Sequence, residues 1–255
     1  IKSSSTGKVS HNTITAAKRY GVLVTSSSTG NISYNSISKS KRHAIYFTGS
    51  STGKVTRNTI SSSNQYGVYV KDSSSVKITY NTISSSKLYG VYAKGSSSVK
   101  ITHNTISSSK RYGVYVSDST TAKVSSNTIS NSKKYGIYVT GSSKGSISNN
   151  KITNSGKYGV YVTWYSTGKI SGNTITGSGQ HGVYITAYSK GVLKKNTIKN
   201  SKLCGVVFSA ASKGTVVKNK IIKAGKYGIA VYDTSKVTIK KNTFKKIKKK
   251  KRIYE

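Results

Sequence analysis

The chain of 255 residues has no proline, no methionine, one cysteine and only 4 acidic residues. A single cysteine, Cys204, excludes an internal disulfide and leaves the redox compartment unread. The carboxylates are Asp72, Asp118, Asp233 and Glu255, too few to supply the converging oxygens that calcium-assisted lyase chemistry needs. No apolar run approaches the roughly 20 residues of a membrane-spanning helix. Hydrophobic residues make up 34%, a share at which composition alone points to disorder, because little apolar surface offsets chain entropy. An initiator Met and a signal peptide are also lacking, and Ile1 falls partway through a repeat. The sequence is therefore expected to be a piece of a longer protein.

What is there in excess is positive charge and order. Lys and Arg number 43, giving a formal charge of +39, which predicts attraction to nucleic acid, anionic lipid, acidic polysaccharide or wall polymer. An Asn recurs at Asn12, Asn35, Asn58, Asn81, Asn104, Asn127, Asn150, Asn173, Asn196, Asn219 and Asn242, always 23 residues apart. An unbroken period of this length is the signature of a solenoid, in which each unit stacks on its neighbours. The period overrules the compositional reading: the few apolar residues are regularly placed.

Numbering each coil from its Asn as position 1, four columns are apolar. Position 3 runs Ile14, Ile37, Ile60 and onward to Phe244, and position 11 runs Val22, Ile45, Val68 to Ile229. Position 13 runs Val24, Phe47, Val70 to Val231, and position 21 runs Val9, Ile32, Val55 to Ile239. These β-branched columns sit in short segments of period two separated by Gly, Ser and Asn, which predicts strands near positions 2 to 4, 10 to 14 and 20 to 22. Stacked at about 4.8 Å, eleven coils make a rod on the order of 50 Å long. The Asn is expected in a left-handed bend with its amide bonded to the next coil's, Gly at position 10 at another corner, and the Ser column at position 6 in a small, partly buried site. One β-solenoid domain, 1–247, is expected, followed by a basic tail, 248–255. The Lys run at that end reads as a solvated tail, or as a device against end-to-end stacking.

The run N-T-I-x-x-S-x-x-Y-G-V-Y-V, followed by a Ser/Gly corner and K-[IV]-[ST], resembles the right-handed parallel β-helix repeat of the pectate-lyase-like superfamily, nearest to NosD-type repeat proteins. The resemblance covers essentially the whole chain. It implies an all-β fold of three parallel sheets, right-handedness and export. It says little about activity, because the same repeat serves lyases, epimerases, hydrolases, tailspikes and surface proteins. Enzymes of the superfamily usually display long loops and clustered carboxylates, and this chain has neither.

Candidate chemistry is thin. Asp72 and Asp118 both occupy position 15, two coils and so about 9.6 Å apart, at the wide end of an inverting carboxylate pair. The rest of that column is mostly turn residues, so turn-forming Asp is the better reading. His43 and His181 replace Tyr at position 9 six coils apart, and His11 and His103 occupy position 23 four coils apart. No pair can share a metal, and all four read as surface or corner substitutions. Neither a metal nor a cofactor is expected. Position 12 points outward and holds Tyr46, Tyr69, Tyr92, Tyr115, Tyr138, Tyr161 and Tyr184. Beside it run basic residues at positions 7 and 8, among them Arg42, Lys87, Arg111, Lys134 and Lys157, and more tyrosines at position 9. Aromatic faces beside cations can stack on sugar rings while the charges hold carboxylates. Thr and Ser at positions 2 and 4, from Thr13 to Ser130, form a flat hydroxyl ladder like that of ice-binding solenoids, or simply an exposed strand face.

The expectation is a non-catalytic, secreted or cell-surface module, monomeric in isolation, that binds acidic polysaccharide or anionic wall polymer along its tyrosine-lined flank. The alternatives are a polysaccharide lyase or hydrolase with Asp72, Asp118 and Lys71 or Lys94 in its site, and an ice-binding or structural solenoid. Nucleic acid is disfavoured for want of a recognised base-reading element.

Overall fold

The computed structural model describes residues 1–254. In the first coil, β1 (Thr6–Ser10), β2 (Thr13–Thr15) and β3 (Tyr20–Val24) face three ways. Each starts one of three 11-stranded sheets in which every strand pairs with the strand one coil on. All pairings are parallel and in register, as in Val68 beside Val91 and Ile83 beside Ile106. The result is the expected all-β, right-handed parallel β-helix of 23-residue coils with three short parallel sheets.

The strands are somewhat differently placed than the pattern predicts. Most coils have the bounds of Ser98–Thr102, Thr105–Ser107 and Tyr112–Val116, that is positions 18 to 22, 2 to 4 and 9 to 13, with the third strand shortened to Val183–Ile185 and Val206–Phe208 on two of them. The residues at positions 18 and 19, polar at 18 and Gly, Ala or Val at 19, join the ladder because their backbone pairs with the same position one coil away, whatever the side chain. Inside, the four apolar columns form one continuous core, with Ile60, Val68, Val70 and Ile78 among its fully buried members. Part of the expected basic tail, Lys250–Tyr254, forms the last strand of the third sheet, paired with Tyr227–Val231.

Three corners turn the chain, and each uses left-handed backbone. Their residues are at position 5 (Ser62, Ser85, Ser108), positions 15 and 16 (Asp72, Ser73) and position 23 (His11, Tyr34, Arg57, Tyr80, His103). This corrects two expectations. The Asn at position 1 is not itself left-handed; the residue before it is. The Asn instead turns inward, where Asn104 Nδ2 donates to Asn127 Oδ1 at 3.0 Å and to Ile78 O at 2.8 Å, while its own Oδ1 accepts from Asn81. Gly at position 10 is not a corner either. It lies in the strand, and a Cβ on Gly113 would sit 2.5 Å from Ile129 Cγ2 and 2.7 Å from Gly136 O, so the site needs Gly for space and not for its backbone freedom.

Candidate functional site

The third sheet carries the tyrosines on its outer face. At position 12 successive rings lie parallel: Tyr46 and Tyr69 have centroids 4.9 Å apart at 7°, Tyr92 and Tyr115 4.6 Å at 6°, and Tyr161 and Tyr184 5.4 Å at 23°. Position 9 makes a second stack, in which Tyr66 and Tyr89 lie 5.0 Å apart at 4° and Tyr135 and Tyr158 5.1 Å at 1°. The columns meet edge to face, as for Tyr89 and Tyr115 at 5.0 Å and 69°. The outward direction of position 12 is as expected, but the rings do not offer open faces. Tyr46 is only 9% exposed and Tyr92 8%. Coils about 4.8 Å apart leave no room for a sugar between two rings, so the wall presents ring edges and hydroxyls instead. Some hydroxyls are engaged: Tyr92 Oη lies 3.3 Å from Ser117 Oγ, and Tyr184 Oη 2.9 Å from Ser209 Oγ.

Burial, reinforced by neighbouring tyrosines, pushes the Tyr112, Tyr135 and Tyr158 phenols up to about 12 and Tyr69 and Tyr115 well above their ordinary range. At neutral pH these five phenols are therefore uncharged. His43 and His181 belong to the wall and are not surface substitutions. His43 stacks on Tyr66 at 4.6 Å and 3°, and His181 on Tyr158 at 5.5 Å and 19°. Desolvation, with Arg42 beside one ring and Lys226 beside the other, lowers both to about 4. Cys204 fills the same column one coil after His181, buried, and burial raises its thiol, so it is a packing residue and not an activated nucleophile.

Along one border of the wall, Arg42, Lys87, Arg111 and Lys157 are exposed and Lys134 is half-buried. Among the described residues the ion pairs are Lys71 with Asp72 at 3.0 Å and Lys94 with Asp118 at 3.2 Å, so this basic row has no acidic partner there. Beside the row runs a groove of about 620 Å³, with Ser108, Asn131 and Asn154 on one side, Lys110 and Lys133 on the other and Ser132 in its floor. That floor belongs to the position 6 column. Its eight hydroxyls from Ser40 to Ser201 are fully buried and have no hydrogen-bond partner in the protein, a stronger burial than the sequence suggests.

Asp72 and Asp118 sit at left-handed corner positions, with φ of 55° and 57°, which is turn geometry. Each is held by the lysine that precedes or neighbours it, and Thr48 Oγ1 donates to Asp72 Oδ2 at 2.7 Å. Slight burial raises the Asp72 carboxyl, but the Thr48 and Lys71 hydrogen bonds and the Lys71 and Lys94 charges outweigh it and leave the group lowered. A general acid needs the opposite. No group of three His, Cys, Asp or Glu among the described residues could hold a metal. On the second sheet, Thr59, Thr82, Thr105 and Thr128 stand exposed beside half-buried serines until Lys151 interrupts the row.

Sequence reasoning placed His11 and His103 at a surface or corner, as they are, but passed over the aromatic stacks that form at the corners. His11 stacks on Tyr34 at 4.9 Å, Arg57 lies over Tyr34 and Tyr80 at 5.6 and 5.9 Å, and Tyr80 stacks on His103 at 4.9 Å. Trp164, Tyr165 and Tyr188 are exposed at another corner. Column-by-column alignment of the left-handed positions is the signal that finds both.

The model of the right-handed β-helix region matches residues 1–146 and 135–250. The chain belongs to this family. Among solved structures, a double mutant of the periplasmic alginate epimerase AlgG superposes with a TM-score of 0.82 at 16% identity, over 95% of this chain and 70% of that one. The catalytic unit of a thermostable GH87 α-1,3-glucanase from Streptomyces thermodiastaticus strain HF3-3 gives 0.73 at 16%, over 84% and 48%. An alginate lyase from Paenibacillus sp. str. FPU-7 gives 0.66 at 12%, over 94% and 99%. At these identities the likeness is one of fold, and the β-helix spans less than half of the glucanase unit's length. No curated protein matched the sequence.

Proposed function

We propose that this β-helix is a non-catalytic, secreted or cell-surface module that binds acidic polysaccharide along the tyrosine-lined flank. The observation that carries this is the basic row of Arg42, Lys87, Arg111, Lys134 and Lys157, without an acidic partner among the described residues, beside the stacked tyrosine wall. Guanidinium and ammonium groups on successive coils from Lys87 to Lys157, with Arg42 two coils before, suit carboxylates repeated along a polymer, and phenol hydroxyls at the ring edges donate to sugar oxygens. Many weak contacts add through multivalency and weaken with salt. The fold neighbours include proteins named for action on alginate and α-1,3-glucan, which supports a carbohydrate partner. Asp72 and Asp118 are assigned to turns and ion pairs, and the isolated module is taken as monomeric.

The test is binding to polygalacturonate, alginate and neutral glucans at low and moderate salt, with an assay for new chain ends in the same tubes. Replacing Arg42, Lys87, Arg111, Lys134 and Lys157 by Gln should weaken acidic-polymer binding by tenfold or more. Full binding by that variant removes the flank from the account. Unsaturated or reducing ends would make the protein an enzyme and return attention to Asp72 and Asp118.

A further inference from the structure

One corner breaks its own column. At positions 15 and 16 the chain places Asp72–Ser73, Gly95–Ser96, Asp118–Ser119 and Gly141–Ser142, small or polar residues suited to left-handed backbone. On the next two coils it places Trp164–Tyr165 and Ala187–Tyr188, with φ of 53°, 57°, 51° and 59°. Bulky side chains in this conformation are strained. Burial does not compensate, since Trp164 is 62% exposed, Tyr165 61% and Tyr188 59%. Tyr165 and Tyr188 lie parallel at 5.2 Å and 7°. Trp164 has Gly141 and Ala187 as its column neighbours, neither of which carries a ring, so unlike the wall tyrosines its indole is not covered by a stacked partner.

Two residues beyond Tyr165 the chain enters the first sheet at Thr167. There a notch of about 410 Å³ is lined by Lys123, Lys144 and Lys169 around Gly145, Ser146 and Thr167. Lys123 and Lys169 share a column, with Ser146 between them. The small Ser146 opens a basic gap two coils wide, about 9.6 Å. The open indole thus stands three residues along the chain from Thr167 of the three-lysine notch, with the Tyr165–Tyr188 pair next to it, where the chain passes from the third sheet to the first.

We propose that this corner is a second glycan-binding site, which takes an acidic sugar with its ring against Trp164 and its carboxylate in the Lys123–Lys144–Lys169 notch. Sugar C–H bonds pack on the face of an exposed indole, and the lysines supply the charge complement. The inference shares only its ligand class with the proposed function and uses none of the tyrosine-flank residues. At this corner the strained, exposed aromatics fall on only two coils, unlike the ladders that recur along the rod.

Trp164 is the sole tryptophan, so its emission reports this corner alone. Titration of the whole chain with a short oligogalacturonate at low salt should shift or quench that emission saturably, and a neutral glucan oligomer should not. Tyr165→Ser with Tyr188→Ser, which installs the residue found at Ser96, Ser119 and Ser142, should weaken the tryptophan-reported affinity about tenfold. Lys123→Ala, Lys144→Ala and Lys169→Ala together should do the same, while the signal persists when the flank's Arg42, Arg111, Lys134 and Lys157 are neutralised. Thermal melts verify that each variant is folded. Calorimetric binding with unmoved tryptophan emission overturns this site and leaves the flank standing, and no binding by either readout overturns both. Unchanged affinity in the serine or lysine variants, or equal binding of the neutral oligomer, also overturns it.

Discussion

The residue that fixes the coil is the position 1 Asn. Asn104 occupies the inside of a corner where six polar contacts meet: its N–H and Nδ2 both reach Asn127 Oδ1, Nδ2 also reaches Ile78 O and Thr102 O, and its Oδ1 accepts from Asn81 N and Nδ2. Asn104→Ala strands several of these groups in a dry interior, at roughly 1–3 kcal/mol for each unsatisfied group. A loss of at least about 3 kcal/mol is expected by denaturant titration. Asn12→Ala, in the exposed first rung, should cost far less. Equal losses at the two sites would mean that the ladder is not the source of the stability. The amide ladder itself was legible in the sequence, because stacking at a fixed period sets each Asn beside its copies one coil away. Which residue turns left-handed was not. Asn tolerates that backbone, so sequence favours it, yet here the strain falls on residues such as Tyr34 and Arg57 one place earlier. Serine at position 6 reads as only partly buried because it alternates with Ala17 and Ala224, which marks a small site but not its depth, and the hydroxyls from Ser40 to Ser201 are buried with no partner in the protein.

At the level of the element, the position 9 stack links the histidines to acid stability. His43 is 5% exposed between Tyr20 and Tyr66, and Cys204 N–H donates to His181 Nδ1 at 3.3 Å, an acceptor that protonation would remove. Both rings are neutral in the folded chain down to about 4 against 6.5 for a free imidazole. Between those values the unfolded chain binds more protons, so stability rises with pH. The contribution is therefore complete above about 6.5 and is lost as pH falls through about 4, on the order of 3 kcal/mol for His43. Asp72, also lowered, adds a loss of the same sign at lower pH. Urea midpoints from pH 7 to pH 4 should fall steeply for the native chain. With His43→Tyr and His181→Tyr, which restore the residue found elsewhere in the column, the fall should be much shallower; an unchanged slope would place the acid sensitivity elsewhere. Sequence alone gave the outward direction of Tyr115 and its neighbours, since alternation between buried positions 11 and 13 requires it. It did not give the mutual coverage of the rings, which depends on the coil spacing matching the thickness of a stacked aromatic pair.

For the whole molecule, the dominant fact is +39 on a rod of stacked coils. Register places like charges side by side: Lys54, Lys77, Lys100 and Lys123 form a continuous column on the first sheet, an arrangement that destabilises a sheet. The Debye length is about 30 Å at 0.01 M salt and about 8 Å at 0.15 M. Neighbouring lysines about 4.8 Å apart still repel at the higher salt, whereas coils two or more apart are largely screened from one another. Raising sodium chloride across this range should therefore raise the melting temperature by several degrees, the reverse of what loss of favourable salt bridges would give. At the low salt concentration, polygalacturonate should raise it further, because a bound polyanion neutralises charge that small ions only screen and binds the folded rod in preference to the unfolded chain. The increment from the polymer should shrink as salt is added. A melting temperature indifferent to salt would show that the lysine columns do not strain the fold. A salt response without a polymer response would separate self-repulsion, which follows from the charge and the register, from polysaccharide binding, which requires the flank or the aromatic corner as well.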